Sequence, residues 1–331
     1  MAGNPFVARG GALGDFVLTL PLLGAIRARH GRRPVLCADP GHGALAVDAG
    51  LARSFLRLDD PRLGALWSGG DLAAARELLG PIGPSYILRP VDAAAVGNRL
   101  RALGGDPVRV FDPRPPANGS VHAADHLLGA LPAPATPTPA PTLCLPDELL
   151  EQAAVAHRRL GAEHGGLVVL APGAGGDLKR WPLAAYRELA ARLEEAALDV
   201  AWLLGPVERE RWAGFRPARC LPDAGPSMTA ALLAGVSLLV GNDTGTSHLA
   251  AAMGTPVLAL FGPTDPGTWA PRGPAVRVLR APGFGPRCDL CPRPCDLTYP
   301  ATCLDTLSVD QVAEAALAAM GSSGENAPGP P

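Results

Sequence analysis

Lysine is nearly absent from this chain. Of its 29 Lys and Arg residues across 331 positions, one is lysine, at position 179, and the rest are arginine. The excess of Arg, with 40 Gly and 37 Pro, reads as a GC-rich coding bias, and against that bias a lone lysine directs attention to its neighbours. A concentrated basic surface is also missing. Net charge is −2 and the basic residues are scattered, which excludes a general nucleic-acid binder. No apolar run reaches the roughly 18 residues needed to span a bilayer. Met1–Arg9 lacks a basic region followed by a long apolar core, so no secretion signal is expected and the chain is read as cytoplasmic. The seven cysteines are an odd number, which in an unsecreted chain points to reduced thiols or a metal site rather than disulfides.

The chain does have apolar content, at 47% hydrophobic against 18% charged residues, enough to bury a large core. The length suits two domains of about 150 residues each. In the first half, strand patterns at Phe6–Arg9, Pro34–Ala38, Ser85–Leu88 and Val108–Phe111 alternate with helical patterns at Phe16–His30, Leu45–Leu51, Leu63–Leu79, Ala93–Leu103 and Val121–Leu131. Pro132–Pro146 is a proline-rich spacer, and the domain boundary is placed there. In the second half, strands at Leu167–Leu170, Val200–Leu204, Ser237–Val240, Pro256–Phe261 and Val276–Leu279 alternate with helices at Glu148–Leu160, Pro182–Glu195, Ser227–Ala234, Thr246–Met253 and Ser308–Met320. The expected division is therefore a domain at 1–146 ending in a linker at 132–146, a second domain at 147–320 and a disordered tail at 321–331. Such alternation implies an α/β fold with parallel, doubly wound sheets, in which ligands gather at loops leaving the carboxyl ends of strands.

That rule selects three loops. Gly241–Ser247 lies between a strand and a helix. Asp243, Thr244, Thr246 and Ser247 sit at the helix start, and Gly245 lets a ligand approach the backbone. Free N–H groups and the helix dipole suit phosphate there, although Asp243 or Thr244 could equally be a plain cap, and His248 in the first turn could face ligand or core. Ala171–Trp181 reads APGAGGDLKRW, a glycine-rich loop ending in Lys179 and Arg180. Such loops cradle phosphates, but the spacing is not that of a Walker A motif, and a solvated Lys-Arg pair is the alternative. Gly10–Asp15 places Asp15 after Gly10, Gly11 and Gly14, as a helix cap or as a general base that accepts a proton from an attacking hydroxyl.

At these loops the sequence resembles a known family. RGGALGDFVLTLP, PGAGGDLKRWP and GNDTGTSHLAAAMGTPVLALFGPTDP are similar, in order and spacing, to the signature segments of glycosyltransferase family 9, the lipopolysaccharide heptosyltransferases. The resemblance implies a GT-B type fold of two Rossmann-like domains facing a cleft, the first on the acceptor side and the second holding a nucleotide-sugar donor. It implies an inverting, metal-independent transfer of heptose from ADP-heptose to a lipopolysaccharide core or similar glycan acceptor, lipid-linked or oligosaccharide, with no cofactor required. Through that acceptor the chain would touch the inner face of the inner membrane peripherally. By position, Asp15 matches the catalytic base beside Gly14, and Lys179 the residue on the donor phosphates, next to Arg180. Asp243 matches the aspartate near the donor sugar, Thr244 and Gly245 the phosphate-binding helix start, and His248 the histidine that follows. Glu208 matches more loosely a residue near the donor ribose. Thr246 and Ser247 stand where many members have Pro-Met, and both are counted with the donor-binding residues.

Cys288, Cys291, Cys295 and Cys303 are spaced C-x₂-C-x₃-C-x₇-C. The C-x₂-C start is metal-like but the remaining spacings are not those of common zinc ribbons, which leaves reduced, packed thiols and a structural Zn or cluster as alternatives. Two rival functions stand beside the transferase reading. One is a nucleotide-sugar epimerase or hydrolase on the same fold, and the other is a non-catalytic nucleotide-sugar-binding homologue.

Overall fold

The computed structural model describes residues 3–116, 119–133, 138–161, 166–281 and 303–322. The chain divides into two compact units, Met1–Pro146 and Asp147–Pro331. Each is an α/β unit built on one five-stranded sheet whose strands all run parallel.

In the first unit the strands are β1 (Asn4–Arg9), β2 (Val35–Ala38), β3 (Ser54–Arg57), β4 (Ile82–Leu88) and β5 (Val108–Val110), in the order β3-β2-β1-β4-β5. The helices are α1 (Leu13–Val17), α2 (Leu20–His30), α3 (Pro40–Asp48), α4 (Gly64–Ser68), α5 (Ala73–Leu79), α6 (Ala93–Ala102) and α7 (Ala123–Leu128). Strand β1 is buried from Pro5 to Arg9, as a parallel strand covered on both faces must be. The strand order reverses between β1 and β4, so the loops leaving these strands flank a switch point of the kind where doubly wound sheets take ligands.

Several expected elements differ in detail. The helix expected over Phe16–His30 starts at Leu13 and is split at Leu18–Thr19, where the Thr19 hydroxyl donates to the Asp15 carbonyl at 2.8 Å. The helix expected over Leu63–Leu79 is a 3₁₀ turn at Pro61–Leu63 followed by α4 and α5. Gly69 and Gly70 interrupt it with φ of +99° and +122°, values only glycine adopts without strain. Strand β3 was not expected, because SFLR is short and half exposed at the sheet edge.

In the second unit the strands are β6 (Leu167–Ala171), β7 (Asp199–Trp202), β8 (Leu238–Asn242), β9 (Val257–Phe261) and β10 (Val276–Arg280), ordered β10-β9-β8-β6-β7. The helices are α8 (Asp147–Arg159), α9 (Leu183–Glu195), α10 (Pro206–Arg211), α11 (Pro226–Leu233), α12 (Gly245–Ala252), α13 (Pro266–Trp269) and α14 (Val309–Ser322). Helix α14 runs through Gly321 and Ser322, which had been assigned to the tail. The short helices α10 and α13 were not expected; each begins with proline at its first helical position, where a missing N–H costs nothing. The switch point here lies between β6 and β8.

The core beneath β6 and β8 is dominated by Trp181 and Tyr186, both fully buried and packed edge to face at 4.9 Å, together with Leu189, Leu193, Leu304 and Val312. Burial of each large side chain of this kind contributes about 1.5–3 kcal/mol. The Trp181 indole N–H also donates to the Leu307 carbonyl at 3.0 Å, which anchors the start of α9 to the segment leading into α14. Among the described residues, no helix is long and apolar enough to cross a membrane.

Candidate functional site

The second unit assembles most of the expected residues at its switch point. Strand β6 ends at Ala171, and the loop to α9 carries Lys179 in a 3₁₀ turn, Asp177–Lys179. Strand β8 ends at Asn242, and Asp243 and Thr244 lead into α12. Lys179 Nζ lies 2.7 Å from Asp243 Oδ2, and the Thr264 hydroxyl donates to the same oxygen at 2.7 Å. The Asp243 side chain is 7% exposed, whereas that of Lys179 is 36% exposed, so the carboxylate is a buried anchor for a half-open ammonium. One of the three Nζ–H bonds is used in this pair, which leaves two for an anion.

Thr244 occupies the N-cap position of α12 in extended backbone, yet its side chain makes no cap bond. Its hydroxyl instead pairs with that of Thr246 at 2.8 Å. The first amides of this eight-residue helix are therefore not taken by a cap, and with the helix dipole they form a ready anion site beside Lys179. Ser247 is fully buried and its hydroxyl donates to the Asn242 carbonyl at 2.7 Å, and His248 is also buried, in the first helical turn. Both side chains are thus enclosed and not open to solvent.

Arg180 braces its loop. It pairs with Asp177 at 2.5 Å, donates to the Ala174 carbonyl at 3.2 Å and lies 6.0 Å from the centre of the Trp212 ring. Asp177 is held below the usual carboxylate range, first by its hydrogen bond to Arg180 and then by the charge of Arg211. Glu208, in the first turn of α10, accepts the Gly205 N–H at 3.1 Å. Its carboxylate also lies against Gly173, where a Cβ would stand 2.7 Å from Oε1. Gly173 thus gives the close approach that its loop needs.

Two residues that sequence reasoning passed over complete the arrangement. Thr264, in the TDP segment after β9, holds Asp243. Asn242 is fully buried and joins the glycine-rich loop to β8: its Nδ2 donates to the Pro172 and Gly173 carbonyls at 2.9 and 3.1 Å, and its Oδ1 accepts the Trp181 N–H at 3.1 Å. The available signal was a polar residue ending the otherwise apolar strand LLVGN, where burial without partners would be costly.

In the first unit, Asp15 lies in the first turn of α1 and Gly14 precedes it in the same helix. Asp15 Oδ2 accepts the Ala12 N–H at 3.2 Å, so the cap role is real, and a second carboxylate oxygen remains for chemistry. Behind it, Arg9 donates to the Thr19 hydroxyl at 3.1 Å and to the Asp15 carbonyl at 3.3 Å. Burial lowers the Arg9 pKa, and the Asp15 charge opposes that shift. The imidazole of His42 stacks on Phe16 at 4.9 Å and is pushed below its ordinary pKa by burial. Cys288, Cys291 and Cys295 lie outside the described residues, as does the Cys303 side chain. Among the described residues, no group of three His, Cys, Asp or Glu side chains could hold a metal ion.

The chain is similar in sequence and in fold to known proteins. Residues 135–289 match glycosyltransferase family 9 (heptosyltransferase). The chain is 46% identical over 94 residues to lipopolysaccharide heptosyltransferase 1 of Pseudomonas aeruginosa, a stretch covering 27% of this chain and 26% of that protein. Matches to curated relatives span between 26% and 36% of the relatives' own lengths. The structural likeness is wider. A family 9 glycosyl transferase of Veillonella parvula superposes with TM-score 0.78 at 17% identity, covering 97% of this chain and 98% of that one. The ADP-heptose lipopolysaccharide heptosyltransferase II of E. coli superposes with TM-score 0.70 at 19% identity, covering 97% and 99%. At these identities the likeness concerns the fold, the two-sheet α/β architecture of the GT-B heptosyltransferases. By sequence, residues 135–289 match glycosyltransferase family 9, the heptosyltransferase family, and the whole chain shares the fold of that family's solved members.

Proposed function

We propose that the chain is an inverting glycosyltransferase that moves heptose from ADP-heptose to a lipopolysaccharide-core or similar glycan acceptor. The observation that carries this reading is the Lys179–Asp243–Thr264 group beside the uncapped start of α12, a cationic donor and a set of backbone amides suited to a diphosphate. An acceptor hydroxyl oxygen attacks the anomeric carbon while the bond from that carbon to the β-phosphate oxygen breaks. The hydroxyl proton passes to the Asp15 carboxylate, and ADP departs with the electron pair of the broken bond. Lys179 and the α12 amides meet the charge that grows on the leaving diphosphate. Glu208 lies against Gly173 of the glycine-rich loop, and on this reading it would meet the donor ribose. The proteins that the chain resembles are named for ADP-heptose and lipopolysaccharide, which supports this donor and acceptor class. Work on a lipid-linked acceptor implies peripheral action at the inner face of the inner membrane.

A donor screen with transfer assays tests the reading. ADP-heptose should raise Tm more than UDP, GDP or CDP sugars, with about 2.7 kcal/mol of stabilisation at a hundredfold excess over Kd. Sugar should move only when a glycan acceptor is present. Acceptor-free turnover would indicate an epimerase or hydrolase instead, and binding without turnover with any acceptor would indicate a non-catalytic homologue.

A further inference from the structure

We infer that Asn242 is a positioning residue that sets Lys179 for the diphosphate, by tying both ends of the glycine-rich loop to strand β8. The inference rests on the donor-site reading above.

The Lys179 loop leaves β6 at Pro172 and enters α9 after Trp181. Asn242 holds the first end through two donated bonds, to Pro172 and Gly173, and the second end through the bond it accepts from the Trp181 N–H. Lys179 is two residues from that second anchor. The backbone carbonyl of Asn242 meanwhile accepts from Ser247 of α12, so one residue joins the loop, the strand and the helix start. The side chain is fully buried, and both amide ends are in use. Only an amide fits this set of partners. A carboxylate would present an acceptor to two carbonyls, and an apolar isostere would leave two carbonyls and an N–H unpaired. Lys179, by contrast, has a long flexible stem and one partner side chain, so its position depends on the loop beneath it. Asn242 acts through Lys179 and does not itself meet the donor.

The test is a double-mutant cycle on ADP affinity, measured by calorimetry with the full chain. Lys179→Met and Asn242→Leu should each weaken ADP at least tenfold. In the Lys179→Met background, Asn242→Leu should weaken it by less than threefold, because its route is already removed. Asn242→Asp, nearly isosteric, serves where the Leu variant does not fold, and its affinity deficit relative to wild type should shrink at low pH as the buried carboxyl regains a donor proton. Thr255→Val, which removes another buried hydroxyl bond of this unit (2.6 Å to the Leu233 carbonyl), controls for general destabilisation and should leave ADP affinity unchanged. Unchanged ADP affinity in Lys179→Met would overturn the donor-site reading itself. A full effect of Lys179→Met with wild-type affinity in the folded Asn242 variants, or additive losses in the double variant, would overturn the positioning role alone.

Discussion

Lys179 and Asp243, 64 positions apart in sequence, meet at 2.7 Å across the switch point of the second sheet. A fully solvated pair of this kind would contribute little. Here the carboxylate is almost buried and also accepts from Thr264, so the ammonium is fixed on one side and open on the other. The lone lysine of the chain is therefore a cation held by the residue that leads into an uncapped helix start.

Replacement of that cation should be costly in a ligand-dependent way. Lys179→Met should lose about 1.5–3 kcal/mol of donor interaction, the scale of a charged hydrogen bond. Lys179→Arg should recover only part, because a planar fork does not reproduce a compact ammonium. An amine-reactive probe gives an independent reading. Saturating ADP should shield Lys179, while the N-terminal amine labels equally with and without ligand. Equal labelling at both amines would remove Lys179 from the donor site.

Asp15→Asn should slow transfer by about 10²–10⁴-fold, the range for loss of a general base. The amide retains an oxygen to accept the Ala12 N–H, so α1 should keep its cap and the Tm should move little. ADP affinity should also stay near wild type. Steady-state kinetics at saturating donor and acceptor would check this, and a near-normal kcat would exclude Asp15 as the base.

Thr264→Val removes one of two bonds to Asp243 Oδ2 without changing side-chain size much. Loss of a bond to a charged group costs about 1.5–3 kcal/mol. Of the two partners of Asp243 Oδ2, Lys179 then remains and is drawn more firmly toward it. ADP should consequently bind several-fold more weakly, as titration calorimetry would show; unchanged affinity would mean that Thr264 serves the fold alone.

The His42 imidazole should make stability pH-dependent. Burial pushes its pKa below the ordinary value near 6.5, with Arg9 acting in the same direction and Asp39 and Asp15 against it. As pH falls through about 6.5, the unfolded chain takes up a proton that the folded state resists, so stability declines with acidification. His42→Phe should keep the stacking on Phe16 and flatten part of that decline. Some slope should persist, because burial also lowers the pKa of His30. Urea midpoints at pH 8 and pH 5.5 would decide it: an equal drop in wild type and variant would rule His42 out.

Much of this protein was legible from residue order alone. Apolar runs such as LVVLA and VLALF, bounded by glycine and proline and alternating with helical stretches, fit buried parallel strands. The alternation of strands and helices then places ligand loops at strand ends, and the positions of Asp15, Lys179 and Asp243 followed from that rule. Local chemistry concealed the short helices α10 and α13, which begin with proline, and the break at Thr19, where a hydroxyl bonds back to the chain. Other features exist only through long-range contact. Nothing near Asn242 in sequence shows that its amide will meet Pro172, Gly173 and Trp181, and nothing near Thr264 shows that it will share an oxygen with Lys179. Strand order brings those groups together. A buried polar side chain has its partners chosen by whichever strands lie beside its own, and that choice is made by the folded sheet.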